Sequence, residues 1–339
     1  MPVRLKDIAQ HLDISITTVS RALGGYSDVA DDTRQRVEQA ALEMGYYPDA
    51  SAQKLQKQRT DTIGFIIPTS GPRFADPFWS EVLAGLGNEA SQHGMDLLVA
   101  THPPGARETE TYQRWVGSRR VDGFILVRTR RNDARIRYLS NCGALFVTYG
   151  RSEMEIDFPY VGVNGQRGMY VATRHLLDLG HNRIAYIAPP SEPQFSVHRL
   201  AGILKALQEN GASLPAEFHL QGDLTQESGY RVAQQLLTRE RPPTAILCGN
   251  DLMALGAISA IHERGLAVGR DLSVAGFDDI PWAAHSHPPL TTVRQPVYEI
   301  GRRVCRMLIQ IIRGASLEER HVLLRPTLVV RESSGVAPQ

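Results

Sequence analysis

The 339-residue sequence lacks most of the features that would direct it to a membrane, a disulfide framework or a zinc site. Its three cysteines, Cys142, Cys248 and Cys305, are far apart and form no CxxC pair, which argues against disulfides and zinc and favours a reducing compartment. No apolar run approaches the length of a membrane span, and the first residues lack the apolar core of a signal peptide. We therefore expect a cytoplasmic protein with no membrane partner.

An excess of charge of either sign is also missing. The chain has 37 Lys and Arg against 36 Asp and Glu, a net charge of +1, and residues 1–60 contain eight of each kind. Nucleic-acid-binding regions are often clearly basic. Any DNA contact made by this region must therefore depend on base contacts, helix N-termini and dimerisation more than on bulk attraction to phosphates.

The common catalytic signatures are absent from the sequence as well. It contains no Gly-x-Ser-x-Gly elbow, no phosphate loop ending in Gly-Lys-Ser/Thr and no His/Glu metal spacing. Its glycines follow apolar runs without forming a dinucleotide-binding fingerprint. We expect no enzymatic activity, no metal and no cofactor.

What the sequence does have begins in its first 25 residues, where two short helical patterns are joined by a tight turn. Ser15 precedes the second pattern and can cap its free N–H groups, while Ile8, Ala9, Val19 and Leu23 supply apolar contacts between the two helices. This arrangement is typical of a helix-turn-helix, which presents its second helix to the major groove of DNA. A generic three-helix surface domain is the alternative.

The outer face of the second pattern carries Ile16, Thr17, Ser20 and Arg21. Arg can make a bidentate contact to guanine, and Thr or Ile can contact a thymine methyl group. A third helical pattern closes the small core of this head, and a short polar helical pattern follows it at residues 48–57. The latter is too short to be stable alone, so it is either a linker or a segment that folds when a partner copy and DNA hold it.

From Asp61 onward, short apolar runs alternate with amphipathic helical stretches, which is typical of parallel sheets covered by helices on both faces. Two such sets predict an α/β core of two similar lobes, with the ligand site in a cleft at the carboxyl ends of the strands. The predicted domains are a helix-turn-helix head at 1–46, a hinge helix or linker at 47–60 and an effector-binding and dimerisation core at 61–339, with lobes of about 61–163 plus 291–323 and about 164–290 plus 324–333.

Eight segments in order make the chain resemble the LacI/GalR family of transcription regulators over essentially its whole length. They are Leu-Lys-Asp-Ile-Ala, Thr-Thr-Val-Ser-Arg-Ala-Leu, Val-Asp-Gly-Phe-Ile, Gly-His-Asn-Arg-Ile-Ala, Arg-Leu-Ala-Gly, Gly-Asn-Asp-Leu-Met-Ala-Leu-Gly-Ala, Leu-Ser-Val-Ala-Gly-Phe-Asp-Asp and Leu-Thr-Thr-Val-Arg-Gln-Pro. The resemblance implies a helix-turn-helix head, a hinge helix that enters the minor groove, and a periplasmic-binding-protein-like core that dimerises and senses a small effector.

For the DNA contacts, the resemblance places Ile16, Thr17 and Arg21 where the family reads bases. It places Leu55 at the hinge leucine that opens a central base step, a wedge that costs unstacking energy and bends the DNA onto the protein. The full set of predicted DNA contacts is Leu5, Ser15, Ile16, Thr17, Thr18, Ser20, Arg21, Ala52, Lys54 and Leu55.

For the effector, the resemblance places Arg199, Asn250 and Asp278 in the second lobe's part of the site. Asp278 can accept from two vicinal hydroxyls, Asn250 can donate and accept, and Arg199 offers a planar donor fork. The alternatives are that Asp278 caps a helix starting at Pro281 and that Arg199 makes a surface ion pair. The predicted first-lobe contacts are Phe74, Asp76 and Tyr149.

Together these features predict a homodimeric repressor of a carbohydrate-utilisation operon. It would bind a near-palindromic operator on double-stranded DNA and be released by a small sugar, with an α-glucoside as the narrowest expectation. The alternatives are a corepressor-type regulator that binds a purine or another metabolite, and a small-molecule-binding protein that does not touch DNA.

Overall fold

The structure, a computed structural model, describes residues 3–46, 59–69 and 76–338. The chain divides into two compact units, Met1–Thr60 and Asp61–Gln339. Most of the predicted hinge, residues 47–58, lies outside the described residues.

Three helices form the head: α1 (Leu5–Leu12), α2 (Ile16–Leu23) and α3 (Asp31–Glu43). Helix α2 begins as the sequence predicts, because the Ser15 Oγ accepts a hydrogen bond from the Thr18 N–H at 3.0 Å. The head core contains the predicted Ile8, Ala9 and Val19, whereas the predicted Leu23 is only half-buried at its edge. The other core residues are Ala22, Val29, Val37, Ala40 and Ala41.

The core unit has two α/β lobes. The first contains β1 (Thr62–Pro68), β2 (Asp96–His102), β3 (Gly123–Leu126), β4 (Phe146–Tyr149), β5 (Tyr160–Val163) and β11 (His321–Leu324), with α4 (Pro77–Gln92), α5 (Ala106–Gly117), α6 (Ala134–Asn141) and α11 (Val297–Ile312). The second contains β6 (Ile184–Ala188), β7 (His219–Gln221), β8 (Ala245–Cys248), β9 (Ser273–Asp278), β10 (Thr291–Arg294) and β12 (Thr327–Val329), with α7 (Gly165–Asp178), α8 (Gln194–Glu209), α9 (Gln226–Leu237) and α10 (Asp251–Glu263). Short 3₁₀ helices lie at Ala216–Phe218 and Pro281–Ala284.

Each lobe is built on one six-stranded sheet. The strand orders are β11-β5-β4-β3-β1-β2 and β12-β10-β9-β8-β6-β7. The first sheet is parallel throughout, and in the second only the β10–β12 pair is antiparallel. Helices cover both faces of each sheet, as the alternating pattern predicts.

The chain returns to the first lobe later than the sequence predicts. Residues 291–294 form β10, which pairs with β9 in the second lobe, so the return follows Arg294 instead of preceding Thr291. The other edge of β10 is covered by β12, and Thr292 lies opposite Val329 in that pairing. A short run of residues cannot show which sheet will accept it, because the partners come from distant parts of the chain.

The close contact of α7 and α8 depends on Gly202, where a Cβ atom would lie 2.1 Å from the carbonyl oxygen of Gln166. Any larger residue would push the two helices apart. Because Arg199 lies one turn before Gly202 on α8, this contact also fixes the position of the Arg199 side chain. Within the described parts of the chain, no helix is both long and apolar enough to cross a membrane.

Candidate functional site

A cleft of about 780 Å³, counting the space open to solvent, lies between the two lobes of the core. Residues at or just past the ends of β3, β4, β8 and β9 line it, at the carboxyl ends of the strands. The lining residues are Asp76, Phe78, Trp79, Val127, Arg128, Thr129, Tyr149, Gly150, Arg151, Val163, Phe195, His198, Arg199, Leu224, Asn250, Asp278 and Gln295.

The cleft brings together five of the six residues predicted for the effector site. Arg199, Asn250 and Asp278 line its second-lobe wall, and Asp76 and Tyr149 line its first-lobe wall. The sixth, Phe74, lies outside the described residues.

Asp278 ends β9 with a φ angle of 123°, a region that residues with a side chain rarely adopt. Its Oδ1 accepts a hydrogen bond from Gln295 Nε2 at 2.5 Å and lies 3.5 Å from an Arg199 nitrogen. Burial raises the pKa of Asp278 well above its ordinary range, although Arg199 opposes the change. The residue that caps the following 3₁₀ helix is Ile280, so the carboxyl group of Asp278 is available to the cleft.

Arg199 is only 6% exposed, which excludes a surface ion pair. Its Nη1 donates to the carbonyl oxygen of Gly249, and its guanidinium lies 3.7 Å from the centre of the Phe277 ring and 4.7 Å from that of Phe195. Within the described part of the chain, its Nε is buried without a hydrogen-bond partner. Arg199 is thus held rigidly and keeps one donor free.

Asn250 has two structural tasks in addition to its place in the cleft. Its Oδ1 accepts from the Met253 N–H at 3.0 Å and caps α10, and its Nδ2 donates to the Leu224 carbonyl at 3.0 Å. One amide hydrogen remains for a ligand. Leu224 also lines the cleft.

Sequence reasoning missed several lining residues, and Arg128 is the most informative. It lies two residues after the end of the apolar strand β3, so a search for polar residues just past predicted strands would have found it. Its φ angle is 49°, and its guanidinium lies 5.1 Å from the centre of the Trp79 ring. Arg151 and Gln295 carry the same signal, since they lie just past the ends of β4 and β10, whereas His198 lies within α8 and has no such signal.

Several of the missed residues connect the two lobes. Arg151, just after β4, donates from Nε to His198 Nε2 on α8 at 3.0 Å. Nearby, the Gln194 N–H donates to the Thr129 carbonyl at 2.7 Å. Burial and the neighbouring Arg151 lower the pKa of His198, which keeps the imidazole neutral and able to accept.

A second connection passes through Gln295, in the segment that leads from the second lobe back to the first. The Tyr149 hydroxyl donates to Gln295 Oε1 at 3.4 Å, while Gln295 donates to Asp278. Groups from both lobes are therefore already linked across the base of the cleft.

On the head, the predicted base-reading residues are accessible. Ile16 is 52% exposed, Thr17 is exposed, and Ser20 and Arg21 are half-buried. The Arg21 guanidinium pairs with Asp28 at 2.5 Å, with 42% and 57% of the two side chains exposed. An exposed pair of this kind is weak, so a DNA base or phosphate can compete for Arg21.

The remaining predicted DNA contacts differ in position. Leu5 packs at the edge of the head core, and the hydroxyl of Thr18 lies 2.8 Å from that of Ser15. Ala52, Lys54 and Leu55 lie outside the described residues.

The architecture thus combines a helix-turn-helix head with a two-lobed core that contains a cleft lined by polar and aromatic side chains. Comparison with known proteins agrees with this class. The family of bacterial regulatory proteins, lacI family, matches residues 4–49, and a periplasmic binding protein-like domain matches residues 173–334.

Relatives match over nearly the whole chain. The HTH-type transcriptional regulator AglR of Rhizobium meliloti (strain 1021) is 39% identical over 342 residues, covering 100% of this chain and 96% of that protein. The HTH-type transcriptional repressor CytR of Escherichia coli (strain K12) is 34% identical over 335 residues, covering 98% of this chain and 97% of that protein.

Solved structures are similar too. The Lac repressor dimer bound to operator and the anti-inducer ONPF has a TM-score of 0.87 and 31% identity, covering 98% of this chain and 99% of that one. A complex of the transcriptional regulator CelR with cellobiose has a TM-score of 0.76 and 32% identity, covering 98% and 100%.

The chain belongs to the LacI family of bacterial regulatory proteins. It is a DNA-binding transcriptional regulator and not an enzyme, which confirms the predicted family, fold class and functional class.

Proposed function

We propose that this regulator is a homodimeric, cytoplasmic repressor of a carbohydrate-utilisation operon that a small sugar releases from its operator. The observation that carries the sugar proposal is the composition of the cleft. Arg199, Asn250 and Asp278 offer donors and acceptors on one wall, and Trp79 and Tyr149 offer aromatic rings on the other. A sugar presents apolar C–H faces to such rings and hydroxyl edges to such polar groups.

The DNA part of the proposal is supported by the exposed face of α2. A dimer would place two such helices on half-sites about 34–36 Å apart, which calls for a near-palindromic operator on double-stranded DNA. The structurally similar Lac repressor is a dimer bound to operator. Residues 1–60 have balanced charge, so a single head gains little from attraction to phosphates. Simultaneous binding of both heads of the dimer is therefore more important.

The proposed mechanism is a shift between lobe arrangements. Direct contacts such as Arg151–His198 and Gln194–Thr129 already join the lobes. A ligand that binds one lobe arrangement better than another shifts the population toward it. A changed first-lobe position would separate the hinge segments and lower the affinity for the operator.

The sugar class has support from a relative, since CelR has been solved with cellobiose. We propose an α-glucoside as the particular sugar, on the basis of overall similarity to sugar-utilisation repressors. Relatives named PurR, such as that of Erwinia tasmaniensis at 35% identity, keep a purine corepressor as the competing outcome.

A titration of full-length protein on DNA from around its own gene tests the proposal. We expect a gel shift on a near-palindromic site and release by a neutral sugar. Tighter binding with a purine base would instead identify a corepressor-type regulator. Failure to protect any palindrome in a genomic footprinting survey, with or without metabolites, would contradict the operator-binding role.

A further inference from the structure

We infer that Arg151 and His198 form a latch between the two lobes, which stabilises the lobe arrangement of this structure and so sets the affinity for the operator before any effector binds. Arg151 lies just after β4 in the first lobe, and His198 lies on α8 in the second. The inference rests on the proposed shift between lobe arrangements and adds the two side chains that control it. Both also line the cleft, where direct contact with the effector is the competing role.

The contact between the two side chains has a defined direction. Arg151 Nε donates to His198 Nε2 at 3.0 Å, and Arg151 Nη2 lies 3.2 Å from the other ring nitrogen, Nδ1. A guanidinium only donates, so the bond requires an unprotonated ring nitrogen as its acceptor. Both side chains are half-buried, which limits competition from water. A hydrogen bond from a charged donor in this setting contributes more than a neutral one.

A second contact between the lobes lies beside the latch, on the same face of α8. The Gln194 N–H donates to the Thr129 carbonyl at 2.7 Å. The neighbouring Pro193 forms an antiparallel bridge with Arg130. His198 lies one helical turn after Gln194, so both contacts hold one side of α8 against the first lobe. The Gln194 N–H keeps its partner only while the lobes stay together, and it therefore reports on the arrangement that the latch stabilises.

On the first-lobe side, Arg151 is tied to the segment that makes this backbone contact. Its carbonyl oxygen accepts from the Thr129 hydroxyl at 2.8 Å, and the neighbouring Ser152 hydroxyl donates to the Arg130 carbonyl at 2.8 Å. The Arg130 N–H in turn donates to Asp133 at 3.0 Å. A displacement of Arg151 therefore also displaces the backbone of Thr129 and Arg130.

A buried ion cluster holds this segment from inside the first lobe. Arg130 donates to Glu108 at 2.6 Å, and the fully buried Arg135 donates to the other oxygen of Glu108 at 2.6 Å. Arg135 also donates to Asp133 at 2.9 and 2.7 Å and to two carbonyls of the preceding turn at 3.1 Å each. Burial alone would raise the pKa of Asp133, but its bonds to Arg135 lower it and keep the carboxylate charged. The latch is therefore attached to a rigid part of the first lobe.

On the second-lobe side, His198 lies on a helix that is also fixed. Helix α8 packs against α7 at Gly202, where there is no room for a Cβ atom. Arg199, next to His198, donates to the Gly249 carbonyl. The latch thus joins two rigid bodies, and its loss should shift the populations of their arrangements instead of loosening one loop.

Hydrogen exchange of the full-length protein tests the latch without any effector. We expect the peptide around Gln194 to exchange several-fold faster in Arg151→Met and in His198→Met, because the Gln194 N–H loses its partner whenever the lobes separate. His198→Gln retains an acceptor in place of Nε2 and should stay near the wild-type rate. Arg131→Met is the matched control, because Arg131 is exposed on the turn after β3 and does not line the cleft.

Operator binding without effector gives the functional readout. On the near-palindromic site that the wild-type protein shifts, both Met variants should bind about tenfold more weakly, and His198→Gln should bind nearly as well as wild type. The double variant Arg151→Met/His198→Met should bind no more weakly than either single variant, since both changes remove the same bond. A role in contacting the effector alone would leave these affinities unchanged.

The outcomes separate the latch from the proposed function. Unchanged exchange around Gln194 and unchanged operator binding in both Met variants would overturn the latch and leave the sugar-effector role standing. Losses that add in the double variant, or an equal loss in His198→Gln, would overturn it too. If the wild-type protein shifts no operator site, the proposed function falls, and the exchange measurement still decides the latch. Wild-type protection of peptides from β1 and β8 verifies that each variant is folded.

Discussion

The two walls of the cleft are built differently. On the second-lobe wall, Arg199, Asn250 and Asp278 each have a partner within the protein, and Asn250 also caps a helix. On the first-lobe wall, the main cation, Arg128, has a fixed backbone but a guanidinium that no described residue binds. In the second lobe, contacts within the protein hold the recognition side chains themselves. In the first lobe, the buried Arg135 holds only the backbone that carries Arg128.

The largest expected effect is the loss of unfolding free energy when Arg135 is removed from its buried ion pairs with Glu108 and Asp133. Arg135→Met leaves Glu108 and Asp133 buried with one cation fewer, and we expect about 3–5 kcal/mol less unfolding free energy. Urea denaturation would measure it, with Arg131→Met expected within about 0.5 kcal/mol of wild type. A loss below about 1 kcal/mol in Arg135→Met would show that the cluster is not the support described.

On the opposite wall, Asp278→Asn should affect binding and not folding. The variant loses a carboxylate acceptor, so we expect effector affinity to fall about 10- to 100-fold. Because burial raises the pKa of Asp278, the charged form is costly in the folded protein, and the unliganded variant should melt no lower than wild type. Thermal melts with and without sugar check both expectations, and a large drop in the unliganded Tm would contradict the second.

Asn250→Ala and Asn164→Ala separate capping from ligand binding. Each asparagine accepts from a backbone N–H in the first turn of a helix, α10 for Asn250 and α7 for Asn164. Both variants should lose about 1 kcal/mol of unfolding free energy. Only Asn250→Ala should also weaken sugar binding, since Asn164 does not line the cleft. An equal drop in sugar affinity for both variants would remove the distinction.

The smallest effect concerns acidification of the second lobe. Among the described residues, burial lowers the pKa of four histidines, and all four lie in that lobe: His175, His181, His198 and His219. His181 is fully buried against the Thr244 and Ser273 hydroxyls, and burial lowers its pKa from an ordinary 6.5.

The folded protein binds a proton on His181 more weakly than the unfolded chain does. The free energy of unfolding is therefore highest above pH 6.5 and falls as the pH drops toward the lowered pKa of His181. Denaturation between about pH 7.5 and 5.5 should show this decline. His181→Gln should flatten it, and exposed His262→Gln should not. Identical slopes in all three proteins would contradict the assignment to His181.

Much of the fold could be predicted because its signals are local. Ser15 caps α2 through a residue three positions away, and the helix and strand patterns depend on neighbours a few residues apart. The family resemblance identified Asn250 and Asp278, and their positions at the carboxyl ends of β8 and β9 agree with it. Leu55 and Phe74 remain predictions, as they lie outside the described residues.

The rest depends on contacts between distant residues. Glu108 meets Arg135 across 27 positions, Arg151 meets His198 across 47, and β10 joins a sheet whose edge strand comes from residues 327–329. The sequence by itself determined the head and the two-lobed core, because these follow from short-range periodicity, and its ordered motifs determined the family, whose resemblance then placed the second-lobe trio. Which arginine stays free in the cleft was settled only on folding, since that depends on which charges the two lobes bring within a few ångströms of one another.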